Sequence, residues 1–509
     1  MKRPLLLSLA TIALLSSNLN AATMYDKFQT MELEMKKMKQ ELKTLKEEQA
    51  AVAKAVEAAK EEAQNASEDE DEEESVTEQL EELQESVSDL NRATNGNHVK
   101  FGVDYRYTVE NLQYKMADGS EQNNDAFMTN RFWLNMNWAT TKHISFSGQL
   151  AYNKAFGARS GAQTGPYETF DWIANENAYN DTLRIRSAYF YYKNDTFLGT
   201  DIPWTFSIGR RPSTNGHLVN LRDDDHAASP MGHNINVEFD GLSSKFALEE
   251  LTGVDGMYIK VCAGRGLSNA KPRLSTAPYT TEDTTTPDID LAGLIFTPYS
   301  DGQYSFNTQY YYANNLIDAI DPTNPSLGFK AVGGLHAFTA NIIANGIGDG
   351  ISDFLDDTTL FVSGAVSITD PSKNGGGMLG RLDPKTGYSA WAGLQIPSLI
   401  SEEGRWGIEY NWGSKFWRSM TYGEDTNIGS KLAVRGDAYE AYFTEPLLDD
   451  VLSMQIRYTY IDYKFSGSNG FFGNATGEPL SMDQAVASGL GSFVVDTAQD
   501  IRFYIRYRY

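Results

Sequence analysis

The sequence predicts an all-β fold, a transmembrane antiparallel β-barrel of about sixteen strands (fourteen to eighteen) preceded by an N-terminal α-helical coiled coil. Three observations carry this: a two-residue alternation that runs to the last residue, an export leader with no later apolar run long enough to span a membrane as a helix, and heptad spacing ahead of the strands. In the last ten residues Ile501, Phe503, Ile505, Tyr507 and Tyr509 share one parity, and Asp500, Arg502, Arg506 and Arg508 the other. That is a strand with one apolar and one charged face, ending on an aromatic residue as outer-membrane barrels do.

From the beginning, residues 1–21 carry Lys2 and Arg3, an apolar run from Leu5 to Leu15 and small residues at Ala21 and Ala22, the pattern of a secretory signal peptide. A mature chain that crosses a membrane without a spanning helix must do so as a closed barrel. The 28 Tyr, 25 Phe and 8 Trp suit the aromatic girdles of such a barrel. One cysteine, Cys262, excludes an internal disulfide and any Cys-x-x-Cys-His haem attachment, and no cofactor is implied. Of the net charge of -25, residues 22–92 supply -12 (9 basic against 21 acidic residues), an imbalance that excludes nucleic acid as a partner.

Residues 22–66 read as a periplasmic coiled coil. Phe28, Met31, Met35, Met38, Leu42, Leu45, Gln49, Val52, Val56, Ala59, Ala63 and Ala66 alternate spacings of three and four. Such a helix would reach on the order of 60 Å and needs partner helices, which points to a homotrimer. A lone charged helix held by pairs such as Glu32 with Lys36 would not need the apolar stripe. Residues 67–98 form an acidic spacer, Glu68 to Glu74, followed by a second short helix in a shifted heptad frame on Val76, Leu80, Leu83, Val87 and Leu90. The acidic run reads as solvated rather than calcium-binding.

From residue 99 to 509 the period is two. Val99, Phe101, Val103, Tyr105, Tyr107 and Val109 lie on one face of the first strand, and Lys100, Asp104, Arg106 and Thr108 on the other. Similar runs start near Arg131, Ile144, Leu183, Trp204, Asn236, Met257, Asp290, Tyr304, Leu335, Thr359, Gly387, Gly404, Asp437, Val451 and Ile501. Long connections, expected at 111–125, 154–181, 213–235, 264–288, 315–332, 370–385, 414–435 and 465–497, alternate with shorter turns, as barrel hairpins do.

If the apolar parity faces lipid, the interior parity holds Lys100, Arg106, Arg131, Arg184, Arg186, Arg211 with Arg210 beside it, Arg457, Arg502, Arg506 and Arg508. Guanidinium groups stay charged and offer planar donors, so such a wall would favour anions in a water-filled pore. The competing reading is that these arginines pair with Asp500, Glu409 or Glu440 and brace the barrel. The connection 213–235 is chemically the richest, with Arg222, Asp223, Asp224, Asp225, His217, His226 and His233. A metal site from its histidines and Asp223 would need a compact spacing that they lack, and no metal is expected. The segment Ser207-Ile-Gly-Arg-Arg-Pro-Ser-Thr-Asn-Gly216 resembles the strand that precedes the third external loop of sixteen-stranded trimeric porins. That resemblance implies an inward-folded constriction loop carrying Arg222, Asp223, Asp224 and Asp225.

A wider resemblance rests on Arg210-Arg-Pro-Ser-Thr214, Gly407-Ile-Glu-Tyr-Asn-Trp-Gly-Ser-Lys-Phe-Trp417 and Ser430-Lys-Leu-Ala-Val-Arg-Gly-Asp-Ala-Tyr-Glu440. They are similar to a family of porin-like outer-membrane proteins with an N-terminal coil, catalogued as a domain of unknown function (number 3373). It implies placement in outer-membrane lipid and offers no site residues. Trp406, Ile408, Tyr410 and Trp412 should face lipid on the thirteenth strand, while Trp133, Phe190, Tyr192 and Tyr442 have the inward parity that a sugar-stacking slide would require. No nucleophile elbow, His-Glu-x-x-His or phosphate loop is present, so no catalytic residues are assigned. The expected function is a porin passing small hydrophilic solutes, anions preferred. A structural tether to peptidoglycan through the coil and a barrel sheath for an exported cytochrome are the alternatives.

Overall fold

The structure is a computed structural model that describes residues 99–509 except 140, 157–182, 212–215, 269–286, 322–323, 325–326, 349, 423, 425 and 449–450. The signal peptide, the coiled coil of 22–66 and the spacer of 67–98 lie outside the described residues.

Alternation of outward apolar and inward polar side chains drives one ladder of sixteen antiparallel strands that closes on itself. They are β1 Lys100–Met116, β2 Glu121–Ala139, β3 Ile144–Ala155, β4 Arg184–Asn194, β5 Trp204–Arg211, β6 Phe239–Ala247, β7 Tyr258–Leu267 and β8 Ile289–Ser300. The second half is β9 Tyr304–Ala319, β10 Phe329–Asn345, β11 Thr359–Pro371, β12 Thr386–Pro397, β13 Arg405–Gly413, β14 Gly436–Leu448, β15 Leu452–Tyr463 and β16 Val495–Arg508. Closure is between β1 and β16, with Arg106 opposite Arg506 and Thr108 opposite Tyr504. Among the described residues no helix is long and apolar enough to cross a membrane.

The outer surface is apolar where it would meet lipid. Phe101, Ile342, Val362, Ile408 and Ile501 point outward and are more than half exposed, and Trp406, Tyr410 and Trp412 are exposed as expected. At the turn end Tyr192, Phe197, Trp204 and Phe246 pack ring to ring, with Phe197 to Phe246 centroids 5.0 Å apart, a cluster of the kind that anchors a barrel at the bilayer surface. The turn between β8 and β9 is set by Asp301, which accepts from the Tyr299 hydroxyl (2.6 Å) and from the backbone N–H groups of Tyr304 (2.6 Å) and Gln303 (2.9 Å). Those donors hold its carboxyl below the ordinary range.

Three boundaries correct the sequence expectation. The long loop expected at 111–125 is a tight turn: β1 continues to Met116 and β2 begins at Glu121, with the Met116 N–H donating to the Ser120 carbonyl at 2.7 Å. The alternation inverts there: Asn111, Gln113 and Lys115 take the outward parity, while Leu112, Tyr114 and Met116 turn inward, with Leu112 and Tyr114 packed against Ile428 and Val434 of the connection after β13, as happens when a strand rises beyond the apolar band and its inner face meets a folded segment. Likewise β10 starts at Phe329 and β16 at Val495, each six residues before the expected start. A bulge between Ile185 and Ser187 shifts the register of β4 against β3, so Tyr189 turns inward and Phe190 outward.

The apolar-out rule fails on β8 to β10 near the loop end. Ile289, Leu291, Tyr311, Leu335 and Ala337 point inward and pack with Ile235, Val237, Met378, Met420 and Phe472 into a buried apolar core inside the barrel. A second close fit is at Gly407 on β13, where a Cβ would lie 2.0 Å from the buried Tyr442 ring. Gly407→Val is expected to displace that ring and to destabilise the barrel by about 1–3 kcal/mol, read as a lower urea midpoint. An unchanged midpoint would mean that the ring is free to move aside.

Candidate functional site in the barrel interior

Two connections fold into the barrel. After β5, residues 216–238 form a short parallel pairing of Gly216–His217 with Ala228–Met231 and a four-residue helix, Val219–Arg222. After β13, residues 414–435 run beside them, with Met420 and Thr421 paired to Ile235 and Asn236. The first connection touches β9 through the Met231 N–H, which donates to Gln309 Oε1 at 2.8 Å, and β15 through Gln455, which donates to the Arg222 carbonyl at 2.8 Å. It therefore crosses the interior. The second is fastened by Trp417, whose indole N–H donates to the Leu432 carbonyl (2.9 Å), and by Thr421, donating to the Gly232 carbonyl (2.6 Å).

The predicted arginines separate into groups. Arg106 lies opposite both Arg131 on β2 and Arg506 on β16, and Arg457 lies opposite Arg502, so like charges face each other across three strand pairs. Carboxylates interleave them. Asp104 accepts from Arg131 (3.1 Å) and from Arg506 Nε (3.0 Å), and Arg502 lies 3.6 Å from Glu110. Arg222 contacts Glu424 (3.3 Å) and Glu440 (3.4 Å), and Lys431 pairs with Glu409 and Glu440. All of these side chains are buried. Of the acids expected to pair with the wall arginines, Glu440 lies 3.9 Å from Arg457, whereas Glu409 pairs with Lys431 of the second connection.

Of the expected constriction-loop residues, Asp223, Asp224 and Asp225 lie against β16, while Arg222 faces Glu440 of β14. The Asp223 carbonyl accepts from Arg506 (2.8 Å), Asp224 pairs with Arg508 (3.1 Å), and Asp225 pairs with Arg506 (2.8 Å) and Arg508 (3.2 Å). Arg186 and Arg210 converge on buried Glu238 at 3.4 and 3.1 Å. Arg210 has the outward parity of its strand and also reaches Asp240 at 3.7 Å. Arg184 is half-buried on the inward face of β4, and Lys100 is exposed at the turn end of β1.

The histidines disperse. His233 is held between Ser363 (2.8 Å) and Ser389 (2.9 Å), His217 lies 3.1 Å from Asn307 Nδ2, and His226 is exposed. The aromatics do not form a slide: Trp133 and Tyr442 are buried inside, but Phe190 and Tyr192 follow the β4 bulge to the outer face. Trp133 instead stacks under the guanidinium groups of Arg131 (3.5 Å) and Arg186 (4.1 Å).

Several functional residues escaped sequence reasoning. Glu110, Glu238 and Glu424 are buried acceptors: Glu110 lies by Arg502 of β16, Glu238 takes Arg186 and Arg210 of β4 and β5, and Glu424 takes Arg222 of the first connection and the nearby Leu432 N–H (2.8 Å). Arg418 and Arg435, fully buried near the loop end, bind carbonyl oxygens of the connection after β15. Arg418 donates to Gly467 (3.2 Å), Ser468 (2.6 Å) and Gly470, and Arg435 to Ser466 (2.8 Å), Gly477 (3.3 Å) and Trp417 (2.8 Å). Neither forms an ion pair among the described residues. On the β2 to β7 side, away from the inward connections' contacts with β9 and β15, Asn135, Gln149, Tyr189, Arg211, Lys245 and Lys260 point inward and stay half-buried. Two-residue parity places Lys245 and Lys260 there, and that signal was readable.

The family described as "Protein of unknown function (DUF3373)" matches residues 121–509. A search of curated proteins finds no match. Among solved structures the chain is similar to OprB of Pseudomonas putida (13% identity, 82% of this chain and 96% of that one, TM-score 0.46). It is also similar to OmpF of Salmonella typhi (11%, 81% and 98%, TM-score 0.43) and to OmpT of Vibrio cholerae in its trimer form (13%, 80% and 99%, TM-score 0.41).

Proposed function

This chain belongs to the DUF3373 family of proteins of unknown function, and we propose that it is an outer-membrane porin that passes small hydrophilic solutes passively along a narrow, basic, water-filled path, with anions preferred. Support comes from the closed barrel with its apolar outer surface and aromatic cluster, which is the form a chain without a spanning helix takes in a bilayer. The observation that carries the path is the division of the interior. Connections 216–238 and 414–435 pack the β9 to β16 side, and the first reaches the other wall at Glu238 and Ser229, while the β2 to β7 side keeps half-buried polar and cationic side chains. Arg106, Arg131, Arg222, Arg457, Arg502 and Arg506 brace the barrel, and Arg211 with Lys245 and Lys260 lines the path.

The leader pattern of residues 1–21 supports export and the barrel supports the outer membrane as the destination, and the heptad spacing of 22–66 supports assembly of three copies with a hold on peptidoglycan. A cytochrome sheath is disfavoured because the chain's own connections occupy the space another protein would need. The test is single-channel recording in a planar bilayer under a salt gradient. Steps in triplets are expected, with a reversal potential that moves toward cations in Arg211→Gln. Absence of conductance would remove the porin reading and leave the tether.

A further inference from the structure

We propose that the open cavity between connection 216–238 and the inner faces of β6 to β9 is a binding site for a small tetrahedral oxyanion such as inorganic phosphate. The inference deepens the porin reading and rests on it only for the solute's route. The cavity has a volume of about 370 Å³, room for a hydrated ion, and among its lining residues are Lys245, Lys260, His217, Ser229, Thr297 and Asn307. No lining residue is an aspartate or a glutamate.

Lys245 and Lys260 sit directly opposite each other on β6 and β7. Like charges in that relation repel, and elsewhere in this barrel each facing pair of arginines has a carboxylate close by. Here, among the described residues, no carboxylate pairs with Lys245, Lys260 or Arg211. Lys260 donates to Ser229 Oγ (2.6 Å), the Lys245 ammonium lies 3.9 Å over the Tyr258 ring, and Arg211 stacks 4.1 Å from the Tyr189 ring and donates to Ser207. Lys260 also borders an adjoining cavity of about 60 Å³ that Arg211 lines, so the three cations form one connected set. Ser229, Thr297 and Asn307 complete an uncharged rim in which the Thr297 hydroxyl is held by Asn307 Oδ1 (2.7 Å) and the Asn307 amide by Asn341 Oδ1 (3.1 Å), so the two ammonium groups are the principal donors left for a ligand. An oxyanion there would supply the missing counter-charge and take hydrogen bonds from both ammonium groups. Phosphate and sulfate share this chemistry, whereas chloride cannot accept from several donors at once at separate oxygens.

The experiment is titration calorimetry of the purified full chain in detergent with inorganic phosphate at low ionic strength, with sulfate and chloride as competitors. One saturable phosphate site per chain is expected, displaced by sulfate in preference to chloride and weakened at least about tenfold in Lys245→Gln/Lys260→Gln. Lys464→Gln, on an exposed pair with Asp462 at the loop end, should bind as the parent does. Lys260→Arg keeps the charge and should retain binding, so it serves if the double variant does not fold. No saturable binding in the parent, or equal affinity in the double variant, would overturn the site. Because no membrane is involved, phosphate binding by a barrel that conducts nothing would uphold the site and sink the porin reading, and conductance without phosphate binding would do the reverse.

Discussion

Asp104→Ala is expected to destabilise the barrel by about 3–5 kcal/mol, the cost of leaving a buried charge without its partner. Asp104 binds Arg131 on β2 and Arg506 on β16, so it ties both neighbours of β1 at the seam where the sheet closes. Without it Arg106, Arg131 and Arg506 would face one another with Asp225 as the remaining carboxylate bonded to Arg506. The readout is the urea midpoint of unfolding, with the compact gel mobility of the folded barrel as a second probe. Asp104→Asn keeps volume and two hydrogen-bond sites and should fall between parent and alanine variant. The double change Asp104→Ala/Arg131→Met should recover part of the loss, since removing both partners spares the orphaned charge. An alanine variant that unfolds at the parent's midpoint would refute the bracing role.

Replacing residues 416–433 with a short Gly-Ser linker should raise single-channel conductance several-fold, because the segment pairs with 235–236 and fills the interior beside β12 to β14. The β13 to β14 ladder reaches Trp412 opposite Asp437, below the excised segment, and so survives the change. Loss of Lys431 would also leave Glu409 and Glu440 on a newly wetted wall. The reversal potential should accordingly move toward cations while the step size grows. Conductance equal to the parent's, in a variant that still shows the folded mobility, would place the narrowest point elsewhere, along β2 to β7.

Strand number and most strand starts were legible because period-two alternation is a local property: Ile144, Trp204, Tyr304 and Thr359 begin strands where the pattern does. The tight β1–β2 turn was not, since from Asn111 the parity inverts: polar Asn111, Gln113 and Lys115 face outward above the apolar band, and Leu112, Tyr114 and Met116 face a folded connection that the local pattern does not reveal. The inward core of Ile289, Leu291 and Leu335 was hidden for a different reason. Apolar parity reports burial from water, and here lipid lay outside and a folded connection inside, so both faces read alike. The parity of the arginines was readable, but their partners were not: Glu110, Glu238 and Glu424 meet them only through closure and through connections that return from elsewhere. The segments behind the family resemblance, Gly407 to Trp417 and Ser430 to Glu440, frame the second inward connection, which gives them a structural role in filling the barrel.

Arg418 and Arg435 hold the connection after β15 by gripping peptide oxygens and no carboxylate among the described residues. Peptide oxygens do not titrate, and contacts shielded from solvent are little screened by dissolved salt. The acceptors in this grip therefore carry no titrating group, and the contacts are little weakened by salt. In the proposed channel this cover acts as a fixed fitting, and a response to acidity or salt falls to groups outside it, such as the exposed pair of Asp224 with Arg508.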